Sequence, residues 1–316
     1  MTVEELNQRL SKHFDVVGII NTSRYLEEAR KMNKIVPDEI YPTMVVVGLA
    51  YPMRIIKHTS THLVPSFYTF GSDYHLSMKN RIDHVMQEIG LPYKLGVDNH
   101  PHDERLAAVL AGIGFFGKNQ LIINQTLGSY FFLGIILIDH TFNHEFMLDV
   151  TDDCGTCRKC IDACPTHALE EGIYHMDKCM SHYNQEKRIL NEDEILANYA
   201  LFGCDICQMV CPKNINKGKK MHPEFEISGK EMVSIVDLFT DSEKTFREKY
   251  QDMSYLWKGK TILMRNAAML LLRHKNTQYN DLIEKTLEKH ETTWYKDTVD
   301  PILNQLKQLK KESSNT

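Results

Sequence analysis

The chain has 316 residues, 42% hydrophobic and 25% charged, the composition of a folded globular protein long enough for two or three domains. A formal net charge of −5 argues against a chain built for non-specific nucleic-acid binding, although local basic faces are compatible with a negative total. No apolar run reaches the roughly eighteen residues of a membrane span, and the Met1-Thr2-Val3-Glu4 start lacks the basic patch and apolar stretch that direct export, so a cytoplasmic protein without membrane contact is expected.

In chain order, residues 3–13 form an amphipathic helix with Leu6 and Leu10 on one face, and a buried strand follows at 15–20. Asn21-Thr22-Ser23-Arg24 supplies capping residues for a helix over 25–32, and the β-branched run 43–51 is a central strand ended by Pro52. Residues 72–89 read as a helix with Leu76, Ile82, Val85 and Ile89 inward; Gly90-Leu91-Pro92 then leads to a strand over 93–97, with Asp98 just past its end. A short helix at 103–111 and strands at 120–124 and 129–139 complete an α/β domain. After Asn216 the pattern is helical, with helices expected at 261–274, 279–290 and 298–310, paired like the hairpins of a helical cap.

All eight cysteines fall between Cys154 and Cys211. Cys154, Cys157, Cys160 and Cys164-Pro165 have the C-x2-C-x2-C-x3-C-P spacing of bacterial ferredoxins, and Cys204, Cys207 and Cys211-Pro212 form a partial second copy whose missing first ligand Cys179 can replace. In two-cluster ferredoxins the fourth cysteine of each run serves the other run's cluster. That rule assigns Cys154, Cys157, Cys160 and Cys211 to one [4Fe–4S] cluster, and Cys179, Cys204, Cys207 and Cys164 to the other. Zinc sites usually bring two C-x2-C pairs without a C-x3-C-P tail, and disulfides need an oxidising compartment.

A cluster pair delivers single electrons, so the α/β domain should hold a group that turns them into bond chemistry. Gly112, Gly114 and Gly117 have G-x-G-x-x-G spacing but follow a helix, which favours a helix C-cap and turn over a phosphate loop. Asp98, at a strand end where open α/β sheets collect ligands, is either a partly desolvated general acid with a raised pKa or a cap for the next helix. Asp73 at a helix start reads first as a cap, and Tyr74 and His75 beside it are equally open.

Several segments together resemble the epoxyqueuosine reductases, the cobalamin- and iron–sulfur-dependent enzymes of queuosine formation in tRNA. The resemblance rests on Gly71-Ser72-Asp73-Tyr74-His75, Val97-Asp98, Ala111 to Asn119, Gly128-Ser129-Tyr130-Phe131-Phe132-Leu133-Gly134, the cysteine runs, Trp257-Lys258-Gly259-Lys260 and Arg265-Asn266-Ala267. It covers nearly the whole chain, and its order is more specific than the cysteine runs alone.

It implies a reductase that converts epoxyqueuosine to queuosine at the wobble position of tRNA anticodons, electrons passing from two [4Fe–4S] clusters to cobalamin. The implied architecture is a nitroreductase-like α+β cobalamin domain over residues 1–145, a ferredoxin-like two-cluster module over 146–220, and a helical, HEAT-like region over 221–316. Asp98 matches the family's acid, which protonates the substrate oxygen. Asp73, Tyr74 and His75 become substrate candidates, and Ser66, Asp98, Ile122, Leu133 and Ser181 corrin contacts; for Ile122 and Leu133 a plain strand-core role stands as an equal alternative. Partners are expected to be tRNA and an electron donor, the chain itself being monomeric. Lys213, Lys217, Lys219 and Lys220, with Lys187 and Arg188, are the basic candidates for phosphate contact. This sequence departs from many relatives at Asn99-His100, where they carry threonine and glycine, which bears on the turn rather than on the carboxylate. Two rivals are a reductive dehalogenase-like enzyme, typically exported with a twin-arginine leader, and a non-catalytic electron carrier; cobalamin binding discriminates against the latter.

Overall fold

The computed structural model describes residues 1–150 and 152–314. The chain divides into two compact units, each assembled from three segments. The first comprises Met1–Met53, Asp73–Cys160 and Gln208–Phe225, and the second Arg54–Ser72, Ile161–Cys207 and the chain from Glu226 onward. By these bounds Cys154, Cys157, Cys160 and Cys211 belong to the first unit, and Cys164, Cys179, Cys204 and Cys207 to the second.

The first unit is built on a four-stranded sheet in the order Val16–Asn21, Thr43–Ala50, Phe131–Ile138, Tyr93–Gly96. Every neighbouring pair is antiparallel, with Val17 opposite Val47, Val46 opposite Ile135 and Leu95 opposite Ile136. This corrects the expected open α/β sheet: helix and strand alternate along the chain, but the strands do not run parallel. Asp98 therefore follows an edge strand of an antiparallel sheet, and the strand-end rule for parallel sheets has no part in its placement.

The helices Thr22–Lys31 and Glu104–Leu110 cover one face, where Tyr25, Leu26, Ala29, Leu106 and Ala107 pack on Val16, Ile20, Val46 and Ile135. Helices thus cover the sheet, and Thr43–Ala50 is buried at every position, which is why it reads as a continuous apolar run. Helix Tyr74–Ile89 sits against the same sheet, where Met78 and Ile82 fill the space beside Gly134. Its inward residues are Met78, Ile82, Val85 and Met86, whereas Leu76, expected inward, is 57% exposed. Six residues before Ile82, Leu76 lies about 120° around the helix, off the apolar arc.

The third segment of this unit is tied to the sheet by charge. Asp15, just before the first strand, has a side chain only 3% exposed. It accepts hydrogen bonds from the Ala50 backbone N–H at 2.6 Å and His222 Nε2 at 2.8 Å, and pairs with Lys220. Burial pushes its carboxyl up, but the bonds from His222, Lys220 and Ala50 outweigh this and hold it at about 2. A depressed carboxylate contributes stability above its unfolded pKa and loses it as pH falls through the folded value. The contribution is about 2 kcal/mol at neutral pH, fading below about pH 4. Urea unfolding of wild type and Asp15→Asn should differ by that amount at pH 7, and the difference should shrink below about pH 4 and vanish only as pH falls through about 2; a pH-independent difference would sink the assignment.

The core of the second unit is mainly helical, joined by Leu63 and Val233 from the paired strands His62–Leu63 and Val233–Ser234. Lys260–Arg273, Asn280–Lys289 and Thr293–Ser314 pack through Leu263, Ala267, Leu270, Ile283, Val299, Ile302 and Leu306. The last helix begins before its expected start at Thr298 because Tyr295 is fully buried and draws an extra turn onto the core. Pro301 sits inside it, and Thr298 Oγ1 bonds to the Trp294 carbonyl at 2.8 Å. Among the described residues no helix is long and apolar enough to cross a membrane.

Candidate active site and cysteine cavities

In the first unit, Asp73, His75 and Asp98 converge. Asp73 is the N-cap of helix Tyr74–Ile89: its Oδ1 accepts from the His75 N–H at 3.0 Å and lies 2.6 Å from His75 Nδ1. The other ring nitrogen, Nε2, is 3.0 Å from Asp98 Oδ2. Tyr74 stacks on the His75 ring at 3.9 Å and on Phe132 at 4.1 Å, so the imidazole plane is fixed from one side. Asp73 is thus a cap, as its place at a helix start suggested, and also the anchor of the histidine.

Asp98 has φ of 61°, a left-handed conformation in which Asp and Asn are enriched among non-glycine residues. The turn is closed by Asn99 N–H to the Val97 carbonyl at 2.8 Å, and the Asp98 N–H donates to Glu104 Oε1 at 2.8 Å. His100, one of the two residues read as departing from the family pattern, also reaches Glu104 Oε1 at 3.0 Å. The turn therefore has its own lock, and the Asp98 side chain remains half exposed, on a cleft shared with Lys34, His102 and Arg105.

The electrostatics reverse one expectation. The His75 hydrogen bond lowers the Asp98 pKa against the upward push of burial. For His75 burial opposes the charge, but the bonds to Asp73 and Asp98 outweigh it and raise the pKa to about 9. A carboxylate only accepts hydrogen bonds, so an imidazole held between two of them carries a proton on each nitrogen. The mobile proton of the group thus rests on His75, within one hydrogen bond of Asp98.

The first cysteine set lines one small cavity: Cys154, Cys157, Cys160 and Cys211 face it together with Lys118, Asn119, Ile123, Pro212 and Lys213. All eight cysteines are free thiols. Among the described residues no group of three or more His, Cys, Asp or Glu converges as ligands of a single metal ion do. A cubane cluster spreads its four thiolates over four iron atoms, and a cavity ringed by cysteines fits that requirement. The wall comes from the glycine-rich segment: its helix ends at Leu110, Gly112 turns with φ of 69°, and the Lys118 N–H donates to Cys154 Sγ at 3.4 Å. The cap-and-turn reading of Gly112 holds, and the segment's end, Lys118 and Asn119, lines the cysteine cavity.

Cys211 is held by a buried amide network. Asn214 accepts from the Ser129 N–H at 2.8 Å and donates to Ser129 Oγ and the Gln208 carbonyl, both at 2.8 Å, while Gln208 donates to Tyr51 Oη at 2.9 Å. At Gly128 an added Cβ would stand 2.3 Å from Asn214 Oδ1, so the glycine keeps this approach open.

The second set is fixed inside the other unit. Arg265, fully buried, donates to the carbonyls of Asn184 at 2.9 Å and Glu186 at 2.6 Å; Asn266 donates to those of Asn184 at 2.8 Å and Leu201 at 3.0 Å. The pair clamps the segment after Cys179 to the segment before Cys204. Next to Cys204, Asp205 accepts from Ser66 Oγ and from the Phe67 N–H at 3.2 Å, and Tyr199 Oη lies 3.6 Å from Cys204 Sγ. Burial foremost, with the nearby Asp205 and Cys179, raises the Cys204 thiol to about 12.

The five corrin candidates divide: Asp98, Ile122 and Leu133 lie in the first unit, Ser66 and Ser181 in the second. Leu133, Ser181 and Asp98 retain exposed surface, whereas Ile122 is 5% exposed within the strand core and Ser66, 1% exposed, is engaged with Asp205. The fit to a corrin is partial. Of the basic candidates, Lys213 pairs with Asp152, Lys220 with Asp15, and Arg188 with Glu186 and Glu194; Lys217 donates to the Gln125 carbonyl at 2.8 Å, and Lys187 and Lys219 stand exposed. Sequence reasoning passed over Arg265, Asn266 and Asn214 as working residues, although Arg265-Asn266 and Ser129 lie in segments that carried the resemblance.

A family model described as a 4Fe-4S double cluster binding domain matches residues 153–214. With the mixed α and β fold, this defines the class: a redox protein with a two-cluster iron–sulfur domain. Over 290 residues the chain is 33% identical to an epoxyqueuosine reductase of Bacillus cereus, covering 86% of this chain and 74% of that one. It is 32% identical over 266 residues to that of Bacillus subtilis, covering 79% and 68%. A crystal structure of epoxyqueuosine reductase with a tRNA-Tyr epoxyqueuosine-modified stem loop is 25% identical, with a TM-score of 0.77 over 96% of this chain and 98% of that one. The chain belongs to the epoxyqueuosine reductase family of oxidoreductases.

Proposed function

We propose that this chain reduces epoxyqueuosine to queuosine at the wobble position of tRNA anticodons, with electrons drawn through two [4Fe–4S] clusters to cobalamin. The observation that carries the reading is the 33% identity to a curated epoxyqueuosine reductase over 86% of the chain. The proposed division of labour is a nitroreductase-like cobalamin domain over residues 1–145, the cluster module over 146–220 and a HEAT-like region over 221–316, acting as a monomer on tRNA and served by a separate electron donor.

Removing the epoxide oxygen as water, with a carbon–carbon double bond left behind, consumes two electrons and two protons. Cobalamin, when bound, supplies low-valent cobalt for opening the ring, and the clusters supply electrons one at a time. The chain's own part is the proton. Negative charge develops on the departing oxygen, and a positioned acid quenches it as it forms. Asp98 presents its half-exposed carboxyl to the substrate, and His75 Nε2, 3.0 Å behind it, holds the proton that Asp98 passes on. Asp73 keeps the imidazole in line through Nδ1. This supports Asp98 as the group that hands over the proton and His75 as its store, although Asp98 by itself is ionised.

The test is anaerobic incubation of the iron-reconstituted protein with cobalamin, a strong reductant and tRNA bearing epoxyqueuosine, followed by mass analysis of the nucleosides. Loss of one oxygen from the modified nucleoside is expected. Reducible clusters with an unchanged nucleoside and an unchanged cob(II)alamin paramagnetic resonance spectrum would replace this reading with a non-catalytic electron carrier.

A further inference from the structure

The cavity ringed by Cys154, Cys157, Cys160 and Cys211 contains one polar group for which the protein provides no partner. Asn119 lines it, is 6% exposed, and its Nδ2 has no hydrogen-bond acceptor among the described residues. The orientation of the amide is set from the other side, because the Leu121 N–H donates to Asn119 Oδ1 at 3.3 Å. The turn itself is fixed by Gly117 N–H to the Leu121 carbonyl and Gln120 N–H to the Gly117 carbonyl, each at 2.8 Å. At Gly117 an added Cβ would stand 2.5 Å from Asn119 Oδ1, so only glycine lets the amide lie this close to the backbone. The same turn aims the Lys118 N–H at Cys154 Sγ.

A buried amide N–H without an acceptor forfeits its hydration with nothing in return, and native proteins keep such a group where a ligand or ion answers it. The acceptors that belong in this cavity are sulfurs, either thiolate or bridging sulfide. We infer that Asn119 Nδ2 donates a hydrogen bond to a sulfur of the cluster held by these four cysteines and thereby sets its reduction potential. The inference rests on the assignment of those cysteines to one cluster. Its physical effect has a definite sign. Reduction adds one negative charge to the cluster, and a donor aimed at sulfur stabilises the reduced form more than the oxidised one, so the bond raises the potential. In a low-dielectric cavity, one such dipole acts with little screening. Asn119 is therefore a potential-setting residue of the first cluster, with no counterpart required at the second.

The experiment is a potentiometric titration, followed by electron paramagnetic resonance, of the reconstituted full chain and of Asn119→Leu, which keeps a similar volume without the donor. Iron content is measured on both. The expected result is full iron, one midpoint potential shifted negative and the other unmoved. Full iron with both potentials unmoved overturns the inference while leaving the cluster assignment intact; wild-type protein that takes up no iron overturns both. Should the variant fail to load, the wild type itself decides: with asparagine side-chain amides labelled with nitrogen-15, pulsed resonance on the reduced clusters is expected to show a coupled nitrogen and exchangeable proton. Their absence overturns the inference.

Discussion

Replacing Asp98 with asparagine is expected to lower kcat on epoxyqueuosine-containing tRNA by roughly 10²–10⁴-fold, the usual contribution of a positioned acid, with iron content unchanged. Asparagine is the informative substitution because residue 98 has φ of 61°, a conformation that asparagine tolerates better than alanine does. The turn, the Glu104 bond to the residue-98 N–H and the packing of His75 should survive, and only the carboxylate that relays the His75 proton is removed. Single-turnover assays under anaerobic conditions measure the effect. Wild-type turnover in that variant would remove Asp98 from proton delivery.

The same geometry sets the pH dependence. His75, raised to about 9, is charged below that value and loses its proton as pH rises through it. If the store feeds Asp98, the rate stays high through neutral pH and falls along a basic limb near 9. The charged groups facing His75 are Asp73 at the start of its own helix and Asp98 from the loop after strand Tyr93–Gly96, while His100 and Lys79 act on Asp98. Asp73→Asn keeps a competent N-cap but removes one of the two carboxylates, so the limb should move to lower pH. A limb that stays in place would show that the histidine only shapes the pocket.

How much of this was legible in the sequence depends on how local each determinant is. Cysteine spacing is a local code, and each group of four cysteines that it and the crossing rule assign together falls within one unit of the fold. The long helices and the strands Thr43–Ala50 and Phe131–Ile138 were visible because their periodicity is carried within one segment. Strand direction was not visible: the antiparallel order comes from pairing across distant segments, such as Val46 with Ile135. The basic run after Cys211 reads as an open cationic face, yet Lys220 is claimed by Asp15 and Lys213 by Asp152, partners that no local pattern reveals. Arg265 stood out in the sequence only as part of a segment that carried the resemblance. Its burial follows from the carbonyls of Asn184 and Glu186, about eighty positions earlier, which accept its guanidinium N–H groups. Asp98 was found as a residue but with the wrong charge state, because desolvation can be guessed from apolar neighbours whereas the His75 contact cannot.

Cys204→Ala is expected to halve the iron content, since loss of one thiolate ligand destabilises one cubane and leaves the other, whose four cysteines belong to the other unit, in place. The sharper result concerns Cys164, which in sequence closes the first run but in the fold lies with Cys179, Cys204 and Cys207. If ligands followed the runs, Cys164→Ala would empty the cluster of Cys154, Cys157 and Cys160, and combining it with Cys204→Ala would remove nearly all the iron. With the crossed arrangement both substitutions strike the same cluster. The double variant Cys164→Ala/Cys204→Ala should then retain as much iron as either single variant, about half, whereas Cys160→Ala/Cys204→Ala should retain almost none. Iron and acid-labile sulfide per chain, measured on anaerobically reconstituted protein, decide between the two, and an additive loss in the Cys164/Cys204 pair would overturn the crossed assignment.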